Sequence, residues 1–184
     1  MERQRRSVRL QAYDFDAPGD YFVTICTKGR QLFFEAATLR DVAERCWAEL
    51  PNHFPSISLD AWVVMPNHVH GIICIEVSDK DEDCRGVQLN APTTRLHSVG
   101  NSFSSMSPGS GTLGVIMRSY KAAVTRICHR LGYAEFAWQR NYYEHIVRDE
   151  RELERIRDYI DANPHNWASD EYNPVARQTS AAVR

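Results

Sequence analysis

The chain has 184 residues, 43% hydrophobic and 25% charged, with a formal net charge of −2, which is ordinary globular usage with enough length for a core. No apolar run approaches the roughly 20 residues that span a bilayer, and the start, MERQRRSVRLQAYD, lacks the apolar stretch of a signal peptide. Five scattered cysteines form no CxxC pair, which points away from a disulfide framework or zinc ribbon and towards a reducing cytoplasm.

In chain order, residues 21–27 (YFVTICT) are rich in β-branched and aromatic types and predict a strand. Residues 38–50 place Leu39, Val42, Cys46 and Leu50 at helical spacing, with Pro51 as the expected stop. A second strand is expected over residues 57–64. Met65, Pro66 and Asn67 then make a tight connection to a third strand over 69–75. That strand is apolar on both pleat faces (Ile72 and Cys74; Ile73 and Ile75), so it should be central and covered on both sides. Residues 78–111 turn charged and then rich in Ser, Gly, Thr and Pro, and are read as a flexible insertion.

A helix is expected over 113–131, with Ile116, Tyr120, Ala123, Ile127 and Leu131 on its apolar face. A fourth strand falls within 138–147. Asp149 and Glu152 then form a capping-box pattern. The last helix should stop near Ala162, because Asn163 precedes Pro164 and is biased out of the α region. The tail, residues 168–184, is polar and expected to fray. The order β-α-β-β-α-β plus one helix predicts an α+β, ferredoxin-like sheet, in one domain over residues 1–167.

Charge is unevenly spread. Residues 84–134 lack Asp and Glu but contain Arg85, Arg95, Arg118, Lys121, Arg126 and Arg130. Such local cationic surfaces allow a polyanionic partner, although composition alone describes a solvated surface equally well.

Two signals carry chemistry. His68 and His70 are two apart in a strand, so both imidazoles project from one face and can reach one metal ion. Taken alone, such a pair more often marks a half-exposed strand. On the last helix, Arg151, Arg155, Tyr159 and Asn163 share a slowly drifting stripe beside the apolar Leu153, Ile156 and Ile160. A tyrosine on that border can pack its ring and keep its hydroxyl free. Nearby guanidinium groups would attract phosphate and favour phenolate. Taken alone, this is also an ordinary boundary tyrosine. Together, the two supply a positive centre and a nucleophile that keeps the cut end covalently attached, which is what breaking and rejoining a phosphodiester requires.

The segment WVVMPNHVHGI (Trp62 to Ile72) resembles the HUH motif of IS200/IS605-type transposases. The ordered set RRSVRLQAYDF, YFVTICT, WVVMPNHVHGII, GTLGVIMRSYKAAVTRI and WQRNYYEHIVRDERELERIRDYIDANPHNW resembles the REP-associated tyrosine transposases over most of the chain. The resemblance implies a ferredoxin-like HUH fold and cleavage of single-stranded DNA through a 5′-phosphotyrosine. It implies His68 and His70 as metal ligands, Tyr159 as nucleophile, and Mg²⁺ or Mn²⁺ as the ion. Asn163 falls where relatives often have a metal-binding Gln. The implied substrate is a hairpin-forming repetitive extragenic palindrome, and the implied assembly is a monomer or homodimer. Arg118, Lys121, Arg126, Arg151 and Arg155 are candidate phosphate contacts. Tyr142 and Tyr143 are expected to pack or stack, Tyr120 to be core, and His129 and His145 to be hydrogen-bonded. A silent DNA-binding module and a water-using endonuclease are the competing readings.

Overall fold

The structure is a computed structural model and describes residues 17–76 and 112–176. The expected insertion at 78–111 lies outside these residues, as do residues 1–16 and residues 177–184 of the expected tail. The elements run β1 (Gly19–Cys26), α1 (Ala37–Ala48), α2 (Leu50–His53), β2 (Ile57–Met65), β3 (His68–Ile75), α3 (Leu113–Arg130), β4 (Tyr143–Val147) and α4 (Glu150–Ala162). The four strands form one sheet in the order β2-β3-β1-β4, every neighbouring pair antiparallel. This is the ferredoxin-like α+β arrangement with an additional C-terminal helix.

Strand alternation sorts the side chains into two cores. Tyr21, Val23 and Ile25 of β1 and Val69, Ile73 and Ile75 of β3 face α1 and α3. The other faces of the same strands carry Phe22 and Ile72, which pack on Leu153 and Ile160 of α4. The sheet therefore holds its structural core on one side and the tyrosine helix on the other. Among the described residues no helix is long and apolar enough to cross a membrane.

Gly71 shows how closely the larger core is fitted. A Cβ at this position would lie 2.3 Å from Cζ2 of Trp47, a side chain with no solvent exposure. Trp47 is wedged against Tyr120, ring centroids 5.1 Å apart, and has no room to retreat. Gly71→Ala is therefore expected to destabilise the protein by about 1–3 kcal/mol, the usual cost of overpacking. A denaturant titration monitoring Trp fluorescence measures it.

Several boundaries differ from the sequence-based expectation. Helix α1 ends at Ala48, and Pro51 sits in the first turn of α2 instead of closing α1. Proline lacks only an N–H that a first turn leaves unpaired anyway. The buried face of α3 is Leu113, Ile116, Met117, Tyr120, Val124 and Cys128. Ala123 and Ile127 are only half-buried, and Leu131 is 47% exposed beyond the helix end. The apolar positions allow two overlapping stripes, and packing against α1 selects the one through Val124 and Cys128. Asn163 stays α-helical (φ −58°, ψ −43°) despite the following proline. The chain makes another turn there, Asn166 donating its N–H to the carbonyls of Ala162 and Asn163 at 3.1 Å each.

Helix α4 is held by its cap and by an ion pair. The Asp149 side chain accepts from the Glu152 N–H at 2.8 Å, and Glu152 reaches back to the Arg148 N–H at 2.9 Å. Arg157 grips Asp60 of β2 with two nitrogens, Nη2 at 2.6 Å from Oδ2 and Nε at 3.0 Å from Oδ1. Hydrogen bonding from Arg157 holds the Asp60 carboxyl below its usual range. A depressed folded-state value means the pair stabilises above the unfolded value of about 3.9 and its contribution is lost as pH falls through the folded value. Thermal melts of the wild type and Asp60→Asn should therefore differ most near neutral pH and converge as pH falls through the depressed Asp60 value.

Candidate active site

The turn at Pro66 and Asn67 delivers His68 as the first residue of β3, and alternation sends His68 and His70 to the α4 face. Both are buried, with 0% and 1% exposure. Their Nε2 atoms lie 3.0 Å apart. The Asn67 amide nitrogen is engaged by the carbonyls of Arg30 (3.1 Å) and Tyr172 (2.7 Å), so its Oδ1 must face His68 Nδ1, 2.8 Å away. His68 therefore donates from Nδ1 and keeps a lone pair on Nε2. His70 Nδ1 lies 2.9 Å from Thr24 Oγ1, its cross-strand partner on β1. Burial pushes the pKa of His68 down to about 2 and that of His70 to about 3. Both rings are neutral at physiological pH, the form that ligates metals.

Tyr159 of α4 completes the cluster. Its hydroxyl lies 3.3 Å from His70 Nε2, and its ring meets His70 and Phe22 at centroid distances of 5.2 and 6.1 Å. The residue is 45% exposed, so the ring is supported on one side and accessible on another. One turn later Asn163 is 3% exposed, and its Oδ1 is buried without a hydrogen-bond partner. Such an orphaned oxygen is costly unless something outside the chain takes it up.

The donor set fits a small divalent ion. Two ligands bonded at about 2.1 Å and at right angles lie about 3.0 Å apart, which is the separation of the two Nε2 atoms. Among the described residues no group of three His, Cys, Asp or Glu could hold a metal. The Asn163 oxygen is therefore the candidate third donor, beside the two imidazole nitrogens.

The segment after α4 is not frayed. Trp167–Ser169 forms a 3-10 turn, and the chain then folds over the histidines. The Tyr172 ring sits 4.6 Å from that of His68, centroid to centroid, and the Arg30 guanidinium lies 4.3 Å over the Tyr172 ring. Arg30 also donates to the Glu171 carbonyl at 2.8 Å, and Asn173 is buried. Aromatic and cation–π packing of this strap replaces the solvation that its polar composition suggested.

The expected guanidinium support for a Tyr159 phenolate is not what the structure provides. Half-burial raises the phenol pKa, a hydrogen bond with the Asn163 side chain partly offsets this, and Asp170 and Glu171 of the strap raise it further. Arg155 instead lies near Glu152.

The five candidate phosphate contacts fall into two groups. Arg151 and Arg155 are exposed on α4, on the Tyr159 side. Arg118, Lys121 and Arg126 lie on α3, across the sheet, and line a cleft of about 920 Å³ between α3 and residues 136–144. Lys121 is already committed there, donating to the carbonyls of Gln139 (2.7 Å) and Arg140 (3.2 Å). His129 bonds the Phe136 carbonyl at 2.9 Å and His145 bonds Glu152 at 2.9 Å.

Sequence reasoning missed Asn67, Thr24, Arg30 and Tyr172. Asn67 carried a usable signal, an amide directly before the HxH pair. Thr24 becomes visible only through the strand register, and nothing local marks Arg30 or Tyr172.

No protein-family model matches the chain. An uncharacterised protein of Haemophilus influenzae is 38% identical over 175 residues, covering 91% of this chain and 92% of its own. A second H. influenzae protein, named "Putative REP-associated tyrosine transposase", is 24% identical over 152 residues, covering 82% of this chain and 73% of its own. A solved REP-associated tyrosine transposase, bound to a REP hairpin, shares the fold with a TM-score of 0.54 at 20% identity, covering 91% of this chain and 76% of that one. The chain thus shares the fold of a REP-associated tyrosine transposase and is similar in sequence to a protein named as one.

Proposed function

We propose that the protein nicks single-stranded, hairpin-forming DNA and transfers the cut strand through a 5′-phosphotyrosine on Tyr159. The observation that carries this reading is the meeting of the Tyr159 hydroxyl with His70 Nε2 at 3.3 Å, beside His68 and within one chain. One copy thus contains the parts of one site, which favours a monomer acting alone. The solved relative bound to a REP hairpin supports hairpin DNA as the partner.

His68, His70 and the Asn163 oxygen would hold Mg²⁺ or Mn²⁺, which would supply positive charge to the non-bridging phosphate oxygens. Asn67 and Thr24 fix the two imidazoles from behind. Phe22 and His70 hold the Tyr159 ring so that its oxygen approaches the phosphorus from a set direction. A bond forms between the Tyr159 oxygen and phosphorus as the bond to the 3′-oxygen breaks. The phenolic proton is lost and the departing 3′-oxygen gains one, so no water or nucleotide cofactor is consumed. Arg155, beside the tyrosine, is placed to meet strand phosphate.

The test incubates the protein with Mn²⁺ and single strands carrying genomic hairpin repeats, labelled at either end, and separates products on a denaturing gel. The reading predicts that the 3′-labelled fragment migrates with protein while the 5′-labelled fragment is released with a free 3′-hydroxyl. Cleavage without a protein-linked fragment would replace it with a water-using endonuclease. Binding without cleavage across the repeats would replace it with a silent DNA-binding module.

A further inference from the structure

Beside Tyr159, a cavity of about 260 Å³ opens on the α4 face of the sheet, its lining including Phe22, Tyr143, His145, Glu152, Arg155 and Tyr159. It is smaller than the pockets of about 300–1,000 Å³ that enclose whole ligands; it suits one planar ring. Phe22, 8% exposed, is the most buried aromatic ring of that lining. Tyr143 and Tyr159 both stand edge-on to Phe22, with centroids at 6.3 and 6.1 Å and interplanar angles of 69° and 87°.

Tyr143 is 55% exposed, on an edge strand where a large apolar ring gains little from the fold. Its position relates it to the chemistry. Tyr143 pairs with Thr24, and Thr24 pairs with His70. The three share one row of the sheet, so Tyr143 and His70 are two strand spacings apart, about 10 Å. That is within the span of the nucleotides flanking a phosphate held at His70 and Tyr159.

The polar rim favours a neutral ring with a phosphate attached. Both Glu152 oxygens are occupied, one by His145 Nε2 and the other by the Arg148 N–H, each at 2.9 Å. Arg155 uses only its Nε, towards the Arg151 carbonyl at 3.3 Å. Its two terminal nitrogens make no hydrogen bond among the described residues.

We infer that this cavity receives one unpaired nucleobase flanking the scissile phosphate, stacked on Tyr143, with Arg155 on the adjoining backbone phosphate. The inference rests on the strand-transfer reading and adds to it a recognition site for a single base. Base–aromatic stacking tolerates any base, so the site would position the strand without selecting its sequence strongly.

The test measures adduct formation against strand concentration for the wild type, Tyr143→Ala and Tyr143→Phe, on strands with an abasic residue at either flanking position. Tyr143→Ala should raise the half-saturating strand concentration roughly 5- to 100-fold, and Tyr143→Phe should leave it near wild type. At one of the two positions an abasic strand should impose the same loss on the wild type and no further loss on Tyr143→Ala. If the two losses multiply at both positions, or Tyr143→Ala binds normally, the base site is wrong while strand transfer stands. If the wild type forms no adduct on any strand, strand transfer fails and the inference falls with it. The abasic strands leave the protein unaltered, so a folding defect in a variant cannot imitate the expected pattern.

Discussion

Tyr159→Phe should abolish the covalent protein–DNA species while leaving hairpin binding and thermal stability close to wild type. The substitution removes one oxygen and keeps the ring that packs on Phe22 and His70. The hydroxyl meets His70 Nε2 at 3.3 Å, a weak contact, and the Asn163 side chain, on a residue that is 45% exposed, so its loss costs the fold little. Its loss costs the reaction its nucleophile, and cleavage should fall by roughly 10⁴-fold or more, the scale seen when an attacking group is deleted. Single-turnover cleavage and a gel-shift titration on the same protein separate the two effects. Retention of the adduct in Tyr159→Phe would transfer the nucleophile role to another tyrosine.

His68→Ala and His70→Ala should each remove stabilisation by Mn²⁺. The two Nε2 atoms face each other at 3.0 Å, and the network fixes a lone pair on that of His68. A cation between them would relieve this arrangement. An ion at a hundred times its dissociation constant stabilises a single site by about 2.7 kcal/mol. For a chain of this size that corresponds to a rise in Tm of about 5–10 °C. The wild type should show such a rise with Mn²⁺ and lose it with chelator. His68→Ala and His70→Ala should show none, and Asn163→Ala a smaller rise. Because the readout is a melting temperature, it does not depend on finding the right DNA. Cleavage by either histidine variant should drop by about 10²–10⁴-fold, the worth of several kcal/mol of charge stabilisation.

Periodicity carried most of the fold. Composition marked β1 as a strand, apolar residues on both pleat faces marked β3 as central, and the capping box at Asp149 and Glu152 marked the start of α4 at the right residue. What periodicity could not decide was which of two stripes on α3 turns inward, because that depends on α1. The preference against helix before proline was a local steric bias, and at Asn163 it lost to burial and to a continuing turn.

The site divides in the same way. His68, His70, Tyr159 and Asn163 were legible because their spacing has chemical meaning within one element. Their support was not. Thr24 reaches His70 through sheet register, Asn67 is tied by the carbonyls of Arg30 and Tyr172, and Tyr172 comes from a segment with every local sign of a loose tail. The phenolate environment was misjudged for a related reason. The stripe put arginines near Tyr159, but half-burial raises its phenol, and the acids of the strap, from a different part of the chain, raise it further.

The most direct test of strand transfer is to digest the protein–DNA adduct with nuclease and protease and map the modified peptide by mass spectrometry. The account predicts that one peptide, containing Tyr159 from the segment RDYIDANP, carries a nucleotide through its phenolic oxygen. A nucleotide on Tyr143, Tyr172 or any other residue, or no modified peptide from a strand that has been cut, would contradict it.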